Sequence, residues 1–274
     1  MRRRFGTFEP HGRGGPRIRE IPIRMLFPNV ITVLAICAGL TGIRLAFENK
    51  FEMAVTMVLI AAFLDGIDGR MARALKATSR FGAQMDSLAD IVNFGAAPAM
   101  VIYAFLLDGT GPLGWISALV FAIACGLRLA RFNVLDEDLI ERPAWQGEYF
   151  VGIPAPAGAL LVLLPTYLVF NGIVPSPAYA FGSAIFTILV ALLMVSRLPV
   201  WSGKTMGQRI PRDYFPLIIM AVMIYVLLLV NYPWITLTVS AATYLVFLPF
   251  SARAYSRRAR VEEVKDQMAE EPNA

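Results

Sequence analysis

Four aspartates in two neighbouring segments are the residues of this chain whose type and spacing most favour chemistry. The segments are Asp65-Gly-Ile-Asp68-Gly69-Arg-Met-Ala72-Arg73 and, after eight intervening residues, Gly82-Ala-Gln-Met-Asp86-Ser-Leu-Ala-Asp90. A helix turns by about 100° per residue, so the numbered positions of the first segment share one face, and those of the second recur every fourth residue. The short joint between the segments predicts antiparallel neighbouring helices. Both acidic faces then meet at one edge of the helix pair.

Four carboxylates that meet in one place repel one another unless a cation lies between them. The chain has one histidine, His11 in the basic N-terminal segment, so any general base among the apolar segments must be a carboxylate. The two cysteines, Cys37 and Cys125, lie in apolar segments and are predicted to be small core residues. A ligand set made only of oxygen atoms suits hard divalent ions, which clamp and polarise phosphates. The aspartates therefore predict a site for Mg²⁺ or Mn²⁺, and Ca²⁺ also fits it.

Two glycines and one arginine fit the same interpretation. Gly69 and Gly82 carry no side chain on the carboxylate faces, so a substrate can approach the backbone there. Arg73 presents a planar fork of donors that matches a phosphate. The alternative is that the aspartates are solvated helix ends and the glycines serve helix packing. That alternative explains any single position, but it does not explain the whole pattern.

Apolar segments near the roughly 20 residues that a helix needs to cross a bilayer must position these residues. Hydrophobic residues make up 57% of the chain and the mean hydropathy is +0.60, unlike an ordinary soluble domain. The predicted fold class is all-α, a polytopic membrane helical bundle of about eight transmembrane helices. The predicted spans lie near residues 29–47, 51–72, 84–107, 113–132, 154–171, 177–197, 213–231 and 234–251.

The distribution of basic residues predicts the orientation of this bundle. Basic residues concentrate before the first span, in the joints after the second, fourth and sixth spans, and after the eighth, whereas the alternate joints hold only Lys50. Both termini and the aspartates are therefore predicted to face the cytoplasm. The net charge of +5 fits this topology and attraction to anionic membrane lipids. The sequence contains no basic stripe with interleaved aromatic residues, so it does not indicate nucleic-acid binding.

The same features divide the chain into four parts. Residues 1–28 form a basic cytoplasmic segment, in which residues 17–27 are predicted to lie along the membrane as an interfacial helix. Residues 29–197 form the membrane core with the aspartates. Residues 198–251 add a cytoplasmic loop and two further transmembrane helices, and residues 252–274 form a charged cytoplasmic tail. The N-terminal basic run lacks an adjoining apolar segment with a small-residue cleavage site, so we expect no cleaved signal peptide.

The pattern D-x2-D-G-x2-A-R-x8-G-x3-D-x3-D resembles the signature of the CDP-alcohol phosphotransferase family at every motif position. The resemblance implies a membrane enzyme with a helical-bundle fold and a cytoplasmic metal site. It implies that Asp65, Asp68 and Asp86 are metal ligands, and that Asp90 is the catalytic base and a further ligand. The residues that it assigns to the CDP site are Asp65, Gly69, Ala72, Arg73 and Gly82.

Three longer segments resemble the membrane-integral phosphatidylserine synthases of bacteria and archaea. They are Asp86-Ser-Leu-Ala-Asp-Ile-Val-Asn-Phe-Gly-Ala-Ala-Pro98, Arg128-Leu-Ala-Arg-Phe-Asn133 and Tyr149-Phe-Val-Gly-Ile-Pro-Ala-Pro156. The resemblance implies that CDP-diacylglycerol donates a phosphatidyl group to L-serine with release of CMP, at a prokaryotic cytoplasmic membrane. It also implies a homodimer.

Three polar residues near the apolar spans are candidates for binding the acceptor or a phosphate. Arg128 and Arg131 lie three residues apart at the predicted cytoplasmic end of the fourth span, where they fit a substrate carboxylate, a phosphate or anchoring at the membrane surface. Asn93 continues the stripe of Gly82, Asp86 and Asp90, where it fits either contact with the acceptor or an interhelical hydrogen bond. Both roles stay open for each residue.

Two other functions compete with serine transfer. The same chemistry with glycerol phosphate, inositol phosphate or choline as acceptor uses the same aspartates. A divalent-cation transporter would also use them, but transporters hold their ions near the middle of the membrane. The predicted position of the aspartates at the cytoplasmic boundary therefore favours the enzyme.

Overall fold

Helix α1 (Ile23–Phe47) and helix α2 (Phe51–Ala74) form an antiparallel hairpin at the start of the described chain. The computed structural model describes residues 23–75, 79–137, 148–201 and 214–270. Asn49 in the joint has a φ of 61°, a left-handed conformation that asparagine tolerates better than most residues. A Cβ on Gly42 would lie 3.0 Å from the carbonyl oxygen of Ala54, so this glycine lets the two helices pack closely.

A continuous helical segment follows from residue 80 to residue 110 and changes its pitch along its length. It consists of α3 (Arg80–Asp90), a π-helical turn (Ile91–Ala96), α4 (Ala97–Ile102), a second π-helical turn (Tyr103–Leu107) and a short 3₁₀ turn (Asp108–Thr110). The side chain of Ser79 caps α3 by accepting a hydrogen bond of 3.0 Å from the backbone N–H of Gly82. The first π-helical turn begins directly after Asp90, and such turns are frequent at functional sites.

Helices α5 (Pro112–Glu137) and α8 (Pro177–Val195) pack on this segment and on each other. The core lies between them and includes the fully buried Phe94, Phe121 and Cys125. The prediction that both cysteines are core residues is confirmed for Cys125 and wrong for Cys37, which is exposed on α1. An apolar segment of a membrane protein has a lipid-facing side as apolar as its core side, so hydropathy does not distinguish the two.

Two short strands, which the sequence did not predict, join distant loops of the otherwise all-α fold. Strand β1 (Tyr149–Val151) pairs antiparallel with β2 (Pro199–Trp201). Ser251 ties this ribbon to the last helix, because its hydroxyl accepts from the backbone N–H of Trp201 at 2.8 Å and donates to the carbonyl oxygen of Pro199 at 3.0 Å. Each strand has only three residues, too few for a clear alternating pattern.

The remaining helices complete the bundle. They are α6 (Ala155–Val162), α7 (Leu164–Phe170), α9 (Phe215–Asn231) and α10 (Pro233–Glu270). Trp234 near the start of α10 contacts the ring of Phe170, with 4.7 Å between centroids, and stacks with Tyr167 at 6.4 Å. These contacts fix one end of α10, and Ser251 fixes a position 17 residues further along.

The architecture confirms an all-α membrane protein. Five described segments are long and apolar enough to cross a membrane: Leu26–Phe47, Phe81–Thr110, Pro112–Val134, Pro177–Val195 and Pro233–Glu262. The segments Ala155–Phe170 and Phe215–Asn231 are shorter apolar helices. The count of eight spans therefore stays a prediction. Of the predicted interfacial helix, residues 23–27 belong to α1 and residues 17–22 lie outside the described residues.

Candidate active site

The aspartates of α2 and α3 meet in space, as their spacing predicts. One carboxylate oxygen from each of Asp65, Asp68 and Asp86 lies within 4.8 Å of the others. Asp90, the last residue of α3, lies within hydrogen-bonding range of Asp65. The antiparallel arrangement of the two helices, with Ser79 capping the second, brings these four side chains to one place.

None of the four aspartates has an ion-pair partner in the described parts of the chain. One buried oxygen of Asp65 and one of Asp68 accept no hydrogen bond from a described residue, and Asp68 is only 2% exposed. Buried carboxylates in this state are costly unless a cation is present. Their clustered oxygens fit a hard divalent ion such as Mg²⁺ or Mn²⁺.

Helix α1 adds a residue to this cluster that the sequence did not single out. The hydroxyl of Thr32 lies 2.7 Å from a carboxylate oxygen of Asp68, to which it donates, and 3.1 Å from the carbonyl oxygen of Pro28. Both side chains of the 2.7 Å bond are buried, so the hydrogen bond holds Asp68 in a fixed orientation. One feature of the sequence could have indicated this role. Thr32 lies inside a predicted membrane span, and polar residues in such spans are often functional.

A cavity of about 400 Å³ opens beside the aspartates between α1, α2 and the first turns of α3. Its lining residues are Pro28, Asn29, Thr32, Asp68, Gly69, Ala72, Arg73, Ser79, Gly82, Ala83 and Asp86. Open space surrounds the position of a Cβ on Gly69, whereas a Cβ on Gly82 would lie 3.1 Å from Ser79 Oγ and 3.2 Å from Asn29 Oδ1. Arg73 forms no ion pair with a described carboxylate, so its guanidinium is free to bind an anion in the cavity. The cavity therefore joins the acidic cluster to the glycines, Ala72 and Arg73 of the motif.

The two arginines of α5 have different surroundings. Arg128 interacts electrostatically with Asp90, although no ion pair within 4.0 Å joins them. Its guanidinium carbon lies 6.0 Å from the centroid of the Phe132 ring. Arg131 instead donates to the carbonyl oxygen of Val195, the last residue of α8, at 3.4 Å. Of these two arginines, Arg128 is the one that interacts electrostatically with an aspartate of the cluster.

Asn93 lies in the π-helical turn after Asp90 and is fully buried. Neither its amide oxygen nor its amide nitrogen has a described hydrogen-bond partner. A Cβ on Gly39 of α1 would lie 2.5 Å from the Asn93 amide oxygen, so the side chain packs closely on this glycine. The interhelical hydrogen bond that is the alternative role for Asn93 is not formed with any described residue.

The family comparison agrees with the geometry of the aspartates. Residues 25–195, well over half of the chain, match the family model described as CDP-alcohol phosphatidyltransferase. The chain belongs to the CDP-alcohol phosphatidyltransferase family. The resemblance inferred from the aspartate motif is thereby confirmed. A second family model, CDP-alcohol phosphatidyltransferase 2, matches residues 213–249, which correspond to α9 and the first half of α10.

Several curated relatives within the CDP-alcohol phosphatidyltransferase family carry the name CDP-diacylglycerol–serine O-phosphatidyltransferase. The chain is 41% identical to the protein of this name from Mycobacterium leprae over 238 residues, which cover 86% of this chain and 77% of the relative. It is 36% identical to one from Mycobacterium tuberculosis over 269 residues, which cover 97% and 90%. It is 36% identical to one from Bacillus subtilis over 138 residues, which cover 50% and 73%.

Replacing Thr32 with valine is expected to weaken Mn²⁺ binding roughly 10- to 100-fold, because a hydrogen bond to a charged group contributes about 1.5–3 kcal/mol. Valine keeps the shape of threonine but cannot donate to Asp68. Thr41→Val is the matched control on the same helix, since the Thr41 hydroxyl donates to the exposed backbone carbonyl of Cys37 at 2.6 Å. Titration calorimetry with Mn²⁺ measures the effect. Equal Mn²⁺ affinities of the two variants would show that Thr32 does not support the acidic cluster.

Proposed function

We propose that this protein is a phosphatidylserine synthase, which transfers the phosphatidyl group of CDP-diacylglycerol to the hydroxyl of L-serine and releases CMP. The observation that carries the proposal is the convergence of Asp65, Asp68 and Asp86 beside a cavity lined by the motif glycines and Arg73. Relatives named for this reaction, which align with up to 97% of the chain, support serine as the acceptor.

The aspartates and the residues that line the cavity are proposed to bind different parts of the donor. Asp65, Asp68 and Asp86, together with Asp90, would hold Mg²⁺ or Mn²⁺, which would supply positive charge against the diphosphate of the donor. Arg73 binds a phosphate oxygen through its guanidinium. The remaining CDP contacts are proposed for Asp65, Gly69, Ala72 and Gly82, and the small residues among them let the nucleotide approach the helix backbone.

Asp90 acts as the general base in the proposed reaction. Its carboxylate accepts the proton of the serine hydroxyl, and the serine oxygen forms a bond to the phosphorus that carries diacylglycerol. The bond between this phosphorus and the oxygen that bridges to CMP breaks, and CMP leaves with that oxygen. A single in-line displacement inverts the configuration at phosphorus. A carboxylate nucleophile with two displacements would retain the configuration, so a donor that is chiral at phosphorus distinguishes the two mechanisms.

We also propose that eight transmembrane helices place both termini and the active site at the cytoplasmic face of a prokaryotic cytoplasmic membrane. Three further spans, formed by α2, by α6 together with α7, and by α9, would bring the five longer apolar segments to eight. The basic residues of alternate joints support this orientation. A single cysteine introduced at Asn49 tests this orientation. Because the joint is proposed to be extracytoplasmic, a thiol reagent added outside the cell should label this cysteine.

We also propose that the chain is divided into segments 1–28, 29–197, 198–251 and 252–274. We further propose that the protein forms a homodimer, which the resemblance to the family supports. Helix α9 buries none of its residues within one chain, which leaves an apolar surface for a second copy. Cross-linking between cysteines introduced on α9 in native membranes tests this contact.

An acceptor panel tests the proposed function directly. Purified protein is incubated with CDP-diacylglycerol, Mn²⁺ and either serine, glycerol phosphate, inositol phosphate or choline, and CMP and the lipid product are measured. We expect CMP release and phosphatidylserine with serine alone. CMP release with another acceptor but not with serine would contradict the choice of acceptor. Mn²⁺ flux into liposomes without lipid turnover would instead indicate a cation transporter.

A further inference from the structure

Helix α10 has two opposite faces from Ser251 onward, and one of them packs on the protein. The hydroxyl of Ser251 bonds to the backbone of β2. The ring of Tyr255 meets that of Tyr149 edge to face, with 5.1 Å between centroids, and Arg258 forms an ion pair with Glu148. At about 100° per residue, these three positions of α10 share one side of the helix. The opposite side is directed away from the β-ribbon.

Three arginines lie on that opposite side, around an open cavity of about 320 Å³. The residues that line this cavity are Ala252, Arg253, Ser256, Arg257 and Arg260. The basic cluster (Arg253, Arg257 and Arg260) is exposed and forms no ion pair with a described carboxylate. Its members are four and three residues apart, a spacing at which like charges on a helix repel one another. An anion shared by the three guanidinium groups would relieve this repulsion.

An exposed apolar stripe (Ile235, Val239 and Val246) lies on the same side of α10, before the basic cluster. These three side chains are 54%, 59% and 61% exposed. Ile235 and Val246 precede Arg253 by 18 and seven residues, which are five and about two helical turns. The stripe is about 16 Å long, close to half of the roughly 30 Å hydrocarbon layer of a bilayer. It therefore has the length of one membrane leaflet and ends toward the arginines.

We propose that the basic cluster binds the phosphate of an anionic phospholipid, and that an acyl chain of the same lipid lies along the apolar stripe. Arginine matches a phosphate through its planar fork of donors, and basic clusters beside a membrane span attract anionic headgroups. A zwitterionic lipid carries a cation of its own next to its phosphate, so the cluster should prefer an anionic lipid. The site lies on α10, outside the matched range 25–195, and the proposal does not depend on which acceptor the enzyme uses.

A second copy of the chain fits this face less well than a lipid does. A twofold axis at the basic cluster would bring the same surface of both copies together, and with it six arginines. No described acid lies in the cavity to compensate them. Charge complementarity therefore favours an anionic lipid as the occupant.

Native mass spectrometry of the purified protein in detergent, titrated with phosphatidylglycerol or phosphatidylcholine, tests the proposal. We expect one phosphatidylglycerol-binding event whose Kd rises roughly fivefold in Arg257→Gln, because each basic residue near an anionic lipid surface contributes about this factor. The Kd should rise roughly 100-fold in the triple variant Arg253→Gln, Arg257→Gln and Arg260→Gln. Binding of phosphatidylcholine should be weaker in wild type and change by less than about twofold in the variants.

Arg197→Gln is the matched control, because Arg197 is exposed after the end of α8 and forms no ion pair with a described carboxylate. It removes the same charge from another basic joint and should change the Kd by less than about twofold. Equal losses in Arg197→Gln and Arg257→Gln would indicate a general attraction to anionic lipids and overturn the inference. The thermal unfolding midpoint of each lipid-free variant, followed by circular dichroism, verifies that the variant folds.

Two further measurements distinguish a lipid from other occupants. Inorganic phosphate at millimolar concentration should not displace phosphatidylglycerol from wild type, since it lacks the acyl chains. Displacement would identify a soluble phosphate as the ligand, and loss of a dimer in the triple variant with unchanged lipid binding would identify a second copy. Either result would overturn the inference and leave the proposed function intact. Failure of serine transfer would overturn the proposed function but not this lipid site.

Discussion

Replacing Asp90 with asparagine is expected to lower the rate of phosphatidyl transfer to serine roughly 10²- to 10⁴-fold, the range that general-base catalysis contributes. Asparagine keeps the size of the side chain but cannot accept the proton of the acceptor hydroxyl. The donor cavity is lined by other residues and three of the four proposed metal ligands are kept, so binding of CDP-diacylglycerol should fall far less than turnover. Turnover with saturating serine, together with equilibrium binding of the donor, measures the two effects separately.

Asp108→Asn is the control for this substitution. Asp108 lies at the opposite end of the same helical segment, where it accepts a hydrogen bond of 2.8 Å from the Tyr103 hydroxyl. The control variant should turn over at close to the wild-type rate, since its carboxylate is remote from the aspartate cluster. Near-normal turnover by the Asp90→Asn protein would remove Asp90 as the base.

Removal of divalent metal with EDTA is expected to abolish turnover, and added Mg²⁺ or Mn²⁺ should restore it. The physical reason is that the carboxylates of Asp65, Asp68 and Asp86 lie within a few ångströms of one another without a described cationic partner. Asp65→Asn should lower Mn²⁺ affinity by at least roughly tenfold, because even residues that only support metal ligands contribute this much. The Mn²⁺ concentration for half-maximal activity measures the effect.

Glu52→Gln provides the comparison for Asp65→Asn, because Glu52 lies in the first turn of the same helix, at the opposite end from the aspartates. This variant should require the same Mn²⁺ concentration as wild type. Full activity of wild-type protein in excess EDTA, or an unchanged Mn²⁺ requirement in Asp65→Asn, would argue against a metal site at the aspartates.

The acidic cluster could be predicted from the sequence because the residues that form it lie close together along the chain. Asp65 and Asp68 are three residues apart on one helix, Asp86 and Asp90 are four apart on the next, and the short joint favours an antiparallel arrangement. The same reasoning predicted that Gly69, Arg73 and Gly82 would lie near the carboxylates, and they line the adjoining cavity. Helical periodicity and one short connection were sufficient for this part of the site.

Contacts between distant segments could not be predicted in this way. Thr32 is 36 residues from Asp68, and Trp234 is 64 residues from Phe170. No pattern within α1 indicates which side of the helix meets the aspartates, because both core and lipid-facing sides are apolar. The ribbon of β1 and β2 was missed for a related reason, since its pairing depends on partners about 50 residues apart.

The most direct test of the account is anomalous diffraction at the manganese edge from crystals grown with Mn²⁺ and CDP. We expect a peak with carboxylate oxygens of Asp65, Asp68 and Asp86 within about 2.0–2.6 Å, the range of such metal–oxygen bonds, and a CDP phosphate beside it. A clear CDP molecule with no manganese peak between these side chains, or a peak bound elsewhere, would contradict it.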